Sequence, residues 1–149
     1  MISLQEKKSC ISNCTAVNDS IASYAKRDFA GAVAIYTEDA VVSDPTGNYV
    51  GKPQILSQLK SWSAAFPDAK SEVTNQITDG DRVATAFTFR GTHTGPLSGS
   101  MGTIAATGKH VELEMELVNW FRGGKVHRAR ESFDLAGLMA QLGVAQPKH

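Results

Sequence analysis

Val111-Glu112-Leu113-Glu114-Met115-Glu116-Leu117-Val118-Asn119-Trp120-Phe121 alternates apolar and polar side chains with a period of two. Only a strand sends successive side chains to opposite faces, so Val111, Leu113, Met115, Leu117, Asn119 and Phe121 share one face. Glu112, Glu114, Glu116, Val118 and Trp120 share the other. One apolar and one charged face describe an antiparallel sheet covered on one side only. Gly123-Gly124 follows as a hairpin turn, and Val126 to Phe133 reads as the next strand. Upstream, Arg82 to Thr94 places Val83, Thr85, Phe87, Phe89, Gly91 and His93 on one face. Asp79-Gly80-Asp81 joins it to a strand over Ser71 to Thr78, and the glycine-rich stretch 95–102 reads as a loop. The second half is a four-stranded antiparallel meander.

The first half has the helical period. Ile11, Cys14, Asn18, Ile21 and Tyr24-Ala25 form one stripe, and Phe29, Ala32-Val33 and Tyr36 continue it after a break near Lys26-Arg27-Asp28, with Asp28 as N-cap. Ala40-Val41-Val42 reads as a strand. Gly51-Lys52-Pro53 opens a third helix striped by Ile55-Leu56, Leu59, Trp62 and Phe66 and stopped by Pro67-Asp68. Asp134 caps a short last helix, Leu135 to Leu142, ended by Gly143. Helices first and strands last give an α+β fold: a cone-shaped curved antiparallel sheet covered by N-terminal helices, with a small-molecule site at its mouth.

Composition narrows the function classes. The 149 residues are enough for one domain with a sizeable core, 1–149, and carry 42% hydrophobic and 20% charged residues. Fifteen basic residues balance fifteen acidic ones, which argues against a nucleic-acid partner. No apolar run is long enough to span a membrane and the N-terminus has no apolar signal core, so the expectation is a cytoplasmic protein. Cys10 and Cys14, four apart on a helix, are placed poorly for a disulfide and read as small half-buried residues. No ligand set has metal spacing and no glycine loop has phosphate-cradle context, so neither metal nor cofactor is expected.

The chemistry-bearing candidates lie on the inward faces. Asp44-Pro45 ends the short strand with a carboxylate; such a pair also starts ordinary turns. An inward carboxylate loses solvation and its pKa rises toward values useful for proton transfer. His93 is either a satisfied core residue or a pocket acid/base. Asn119 interrupts an apolar face and needs a partner: ligand, carboxylate or backbone. Trp62 and Phe66 belong to the core or to the wall of an apolar cavity. If His93, Asn119 and Glu131 all face inward, they should converge on one cavity. On the outer face, Glu112, Glu114 and Glu116 should pair across strands with Arg128 and Arg130. Val118 and Trp120 should lie in a homodimer interface.

Several segments carry a family likeness. Ile35 through Gly47, including Ser43-Asp44-Pro45, Gly91-Thr92-His93-Thr94-Gly95 with Ala106-Thr107-Gly108-Lys109, and Gly124-Lys125-Val126 through Glu131-Ser132-Phe133-Asp134 resemble the superfamily of nuclear transport factor 2, ketosteroid isomerase and the SnoaL-like polyketide cyclases. The likeness runs over residues 11 to 144. It implies that Asp44 matches the proton-shuttling carboxylate of the isomerase. The isomerase's oxyanion tyrosine matches Ser20, and its oxyanion aspartate falls near Glu116 or Leu117. The acid/base position of the cyclases matches Ala129, with Glu131 two residues on and on the same face. Arg130-Glu131-Ser132-Phe133-Asp134 also resembles a limonene-epoxide hydrolase signature whose acid/base matches Glu131. The implied function is a cofactor-independent aldol-type cyclase or isomerase acting on an apolar small molecule, with Asp44, Glu131 and His93 catalytic and Asn119, Trp62, Phe66 and Ser20 holding the ligand. A non-catalytic ligand-binding or dimerising module of the same fold is the alternative, and an epoxide-hydrolase-like enzyme the third reading.

Overall fold

The computed structural model describes residues 4–99 and 102–144, with side chains from Ile11 onward; the side chain of Cys10 lies outside the described residues. Helix α1 (Leu4–Ala25) ends where Arg27 takes a positive φ of 61°, and the Asp28 carboxylate accepts the Gly31 N–H at 3.0 Å to cap α2 (Phe29–Val33). Strand β1 (Tyr36–Asp44) turns through Pro45-Thr46 into β2 (Gly47–Val50). Tyr36 therefore opens a strand rather than closing a helix, and the first strand acquires a hairpin partner that a four-residue segment could not announce by period. Helix α3 (Lys52–Ala65) has Pro53 in its first turn. Then come β3 (Lys70–Asp79), β4 (Arg82–Thr92), β5 (Leu97–Gly99), β6 (Gly102–Ile104), β7 (His110–Arg122), β8 (Lys125–Ser132) and α4 (Leu135–Leu142). Asp134 caps α4, and Gly143 ends it in the left-handed conformation. The segment expected to be a loop at 95–102 instead contributes to a small two-stranded hairpin, β5–β6.

The main sheet is curved, open and ordered β2-β1-β8-β7-β4-β3. The meander β3-β4-β7-β8 is antiparallel throughout, whereas β1 joins β8 in parallel, Val42 beside Ala129 and Ser43 beside Arg130. Helix α1 packs on β3 and β4, and α3 on β1, so the helices cover the concave face. Val83, Phe87, Phe89, Val111, Leu113, Met115 and Phe121 are buried there, as the period-two reading requires. Cβ atoms at Gly91 and Gly95 would run into Phe66 and the Ala64 carbonyl, so glycine is what lets the end of α3 approach β4. β8 is too short to reach Glu112, and the Gln141 amide of α4 replaces it, exchanging bonds of 2.8 and 2.9 Å with the Glu112 backbone. Among the described residues no helix is long and apolar enough to cross a membrane.

The outer face departs from expectation in its pairing. Register sets Arg130 opposite Val118 and Arg128 opposite Trp120, beyond the glutamates. Arg128 lies over the Trp120 ring at 5.1 Å from its centroid. Glu112 pairs instead with Arg90 of β4, at 3.2 Å, which also reaches Glu72 at 3.3 Å.

Candidate active site

Glu131 is placed by a bulge. Trp120 pairs with Arg128 but Phe121 pairs with Val126, so His127 is an extra residue in β8. Counted from Ala129, which is fully buried, Glu131 points to the concave face and Arg130 to the outer one. Its carboxyl lines an inner cavity of about 110 Å³ walled by Tyr24, Tyr36, Leu59, Trp62, Phe87 and Leu117, with Ser20 also on its surface. No described residue donates a hydrogen bond to it. Burial, and secondly the charge of Asp44, push its pKa up from 4.5 to about 7. A carboxyl that exchanges its proton near neutrality is suited to act as acid or base.

Two phenols accompany it. Tyr24 and Tyr36 both have pKa values raised above the usual tyrosine range, first by burial and then by the Glu131 charge. Both therefore stay protonated and available as donors. Sequence reasoning missed them. Tyr24 stands one helical turn after Ser20, and that spacing was the available signal; Tyr36 was hidden by its assignment to a helix.

Asp44 stands behind this cavity. It lines a second cleft of about 310 Å³ with Ser43, Arg128, Arg130, Glu131 and Ser132. Its Oδ1 accepts from the Thr46 N–H at 2.7 Å and the Thr46 hydroxyl at 2.5 Å, and its Oδ2 from Gln58 at 3.2 Å. It is thus both the turn aspartate and an electrostatic neighbour of Glu131. Ser20 donates its hydroxyl to the Ala32 carbonyl at 2.7 Å, so it is already committed within the protein.

His93 and Asn119 do not join Glu131. Neither lines its cavity, so the expected convergence of the three is not found. His93 is fully buried against the Phe66 ring, and its Nδ1 accepts the Thr107 N–H at 3.2 Å. Burial lowers its pKa, and its Nε2 has no partner among the described residues. Asn119 is buried among Val83 and Ala129, its sheet neighbours, with Nδ2 likewise unpartnered. A strand face tells which way a side chain points but not how far along the cone it lies. Phe66 is core, 1% exposed, and holds Trp62 by stacking at 5.6 Å; Trp62 alone of the pair reaches the cavity. Among the described residues no group of three or more His, Cys, Asp or Glu is arranged to hold a metal ion.

Comparison with known proteins agrees with this architecture. A SnoaL-like polyketide cyclase of Jannaschia sp. CCS1, so assigned, superposes with a TM-score of 0.80 at 18% identity, covering 99% of each chain. IdmH of Streptomyces antibioticus, assigned as a polyketide cyclase, gives 0.73 at 23% identity over 89% of this chain and 99% of its own. A ketosteroid isomerase-like protein of Catenulispora acidiphila, solved with trimethylamine, gives 0.71 at 17% identity over 89% and 97%. Among curated proteins none matches the chain. The family model of the SnoaL-like polyketide cyclases matches residues 15–142, nearly the whole sequence, and the chain belongs to that family.

Proposed function

We propose that the protein is a cofactor-independent enzyme that moves a proton at a carbon next to a carbonyl, in an aldol-type cyclisation or an isomerisation. Glu131 takes the proton from carbon while the electron pair moves onto the carbonyl oxygen. Tyr24 and Tyr36 donate hydrogen bonds to that oxygen as its charge develops. The enolate then attacks a second carbonyl, whose alkoxide takes the proton from Glu131, or it recovers that proton at another carbon; on either course the carboxylate is restored. The observation that carries this reading is a half-buried carboxyl, its pKa near 7, in one apolar cavity with two protonated phenols. Family membership supports a small-molecule enzyme of this kind.

Exchange into solvent deuterium tests the step without knowledge of the natural substrate. 2-Tetralone, an uncharged ketone with acidic flanking carbons, should take up deuterium faster with the protein than in buffer. Glu131→Gln should cut the protein-dependent rate by about 100-fold or more. Wild-type protein that leaves the buffer rate unchanged, or a glutamine variant as fast as wild type, overturns the proposal.

The protein also acts as a homodimer in this reading. The outer sheet face carries an apolar band of Ile77, Ala84, Ala86 and Val118, aligned by register. Ile77 is 62% exposed. Glu112, Glu114 and Glu116 lie at one end of that band and Arg128 and Arg130 at the other. A two-fold axis through the band brings the acidic end of one copy onto the basic end of the next.

A further inference from the structure

Glu131 lines two spaces, and among the described residues it alone lines both. On one side lies the inner cavity of about 110 Å³. Every residue around that cavity is buried or half-buried. On the other side lies the cleft of about 310 Å³, where Pro45, Arg128, Arg130 and Ser132 are exposed to solvent.

The sequence itself opens this cleft. Strands β1 and β8 run side by side as far as Ser43 and Arg130, the last pair in register. Pro45 has no N–H, so the ladder cannot continue through it. The chain turns away through Thr46 into β2, where Asp44 pairs with Gly47. The seam therefore parts beside Glu131. Asp44, Arg128, Arg130, Ser43 and Ser132 line the gap with charges and hydroxyls, and a gap so lined holds water. Asp44 uses three acceptor sites on Thr46 and Gln58; a carboxylate has about four, so one is left for such a water. The cleft lies beyond β7, the last strand of the apolar band on the outer face, so a partner docked on that band leaves it at the margin of the contact.

The two sides suit the two halves of a proton's passage. A substrate that fills the inner cavity expels its water and closes its own way in. A carboxyl has two oxygens, so it can take a proton at one and release it from the other. We infer that the cleft at the β1–β8 seam is the proton's way out: Glu131 takes a proton from the substrate on the cavity side and gives it to water on the cleft side while the substrate is still bound. The O–H bond of the carboxyl breaks, hydronium leaves through the cleft, and the carboxylate remains; the reverse step brings back a solvent proton. A pKa of about 7 lets the carboxyl do this near neutrality. The hydrogen delivered to the product then comes from solvent and not from the substrate. The passage of the proton rests on the acid/base reading above; the opening itself rests on geometry alone.

Two measurements test the inference. In Glu131→Cys a thiol stands in place of the carboxyl, and methyl methanethiosulfonate, small and uncharged, reports from which side it is reached. Ser132→Trp, which fills the cleft, should slow that modification about tenfold or more, whereas Leu59→Phe, which fills the inner cavity, should change it by less than about twofold. Thermal melts confirm that each variant folds. An unreactive thiol, or one slowed by Leu59→Phe and not by Ser132→Trp, overturns the inference. The second measurement keeps Glu131 in place and decides the matter if Glu131→Cys does not fold. 3-Cyclohexen-1-one, whose C2 proton moves to C4 on isomerisation, is converted in deuterated water and the earliest product is analysed. Wild type should place solvent deuterium at C4, and Ser132→Trp should return the substrate's own hydrogen in a share larger by about tenfold. Equal shares in the two proteins overturn this inference and leave the acid/base reading standing. Thiol modification as expected, with neither isomerisation nor ketone exchange, brings down the acid/base reading and the passage built on it, and leaves the opening.

Discussion

Asp44 and Glu131 share one cleft where β1 meets β8, and the charge of the first adds to burial in keeping the proton on the second. The two carboxylates that sequence reasoning weighed as rival bases thus have different surroundings. Asp44 is tied down by Thr46 and Gln58, whereas Glu131 faces the cavity with no hydrogen bond from a described residue.

Removing the Asp44 charge should therefore move the pH profile. Ketone exchange needs ionised Glu131, so the wild-type rate should rise with pH through about 7. In Asp44→Asn the carboxylate of Glu131 is less opposed, so the same rise should come at lower pH with a similar plateau. A plateau reduced about 100-fold, with no shift in the curve, makes Asp44 the base instead.

Glu131 should also mark the stability curve. Its pKa is about 7 in the folded protein against 4.5 for a solvated glutamate, so the folded state holds the proton more tightly. That contribution is fully present below pH 4.5 and is lost as pH rises through 7, on the order of 2–3 kcal/mol in all. Glu131→Gln should match wild type at pH 4.5 and be more stable by about 2 kcal/mol at pH 8. Denaturant melts at the two pH values decide it; equal stability at pH 8 would mean that the carboxylate is well solvated.

His93 should behave in the opposite sense. Burial lowers its pKa below 6.5, so the stability gained from the neutral ring is complete above pH 6.5 and declines as pH falls. His93→Phe strands the Thr107 N–H and should cost about 1–3 kcal/mol at pH 8. The difference from wild type should shrink toward pH 5, and ketone exchange per folded molecule should not change. A hundredfold loss of exchange would return His93 to the list of catalytic groups.

The dimer is checked by a charge placed on its axis. Val118→Arg sets a third arginine beside Arg128 and Arg130 and should raise the dimer dissociation constant by about 100-fold or more in sedimentation equilibrium. A monomeric wild type at micromolar concentration would refute the proposed face.

Local periodicity made most of the elements legible. The alternation through Val111 to Phe121, the two glycine-bearing hairpins and the caps Asp28 and Asp134 each follow from interactions within a few residues, and the structure keeps them. What stayed hidden was non-local or too short. Strands β5 and β6 have three residues each, less than two periods of alternation. Nothing near Tyr36 or Val42 declares that its partner is Val126 or Ala129. The site divides on the same line. Parity from Ala129 was enough to turn Glu131 inward, because the bulge at His127 lies before both. Parity could not separate His93 from Glu131 along the cone, nor show that Tyr24 and Tyr36 meet in space.

The parallel seam between β1 and β8 also has a consequence in time. A ribosome must release more than eighty further residues after Asp44 before Glu131 exists to stand beside it. Until then β1 and its hairpin have only α3 to lean on, and β3, β4 and β7 can pair ahead of the seam, since contacts distant in sequence close late. The meeting of the two carboxylates is then expected late in folding. Nascent chains stalled short of β8 should hold their meander half-built, their β1 open to proteases, and no proton near neutrality to exchange.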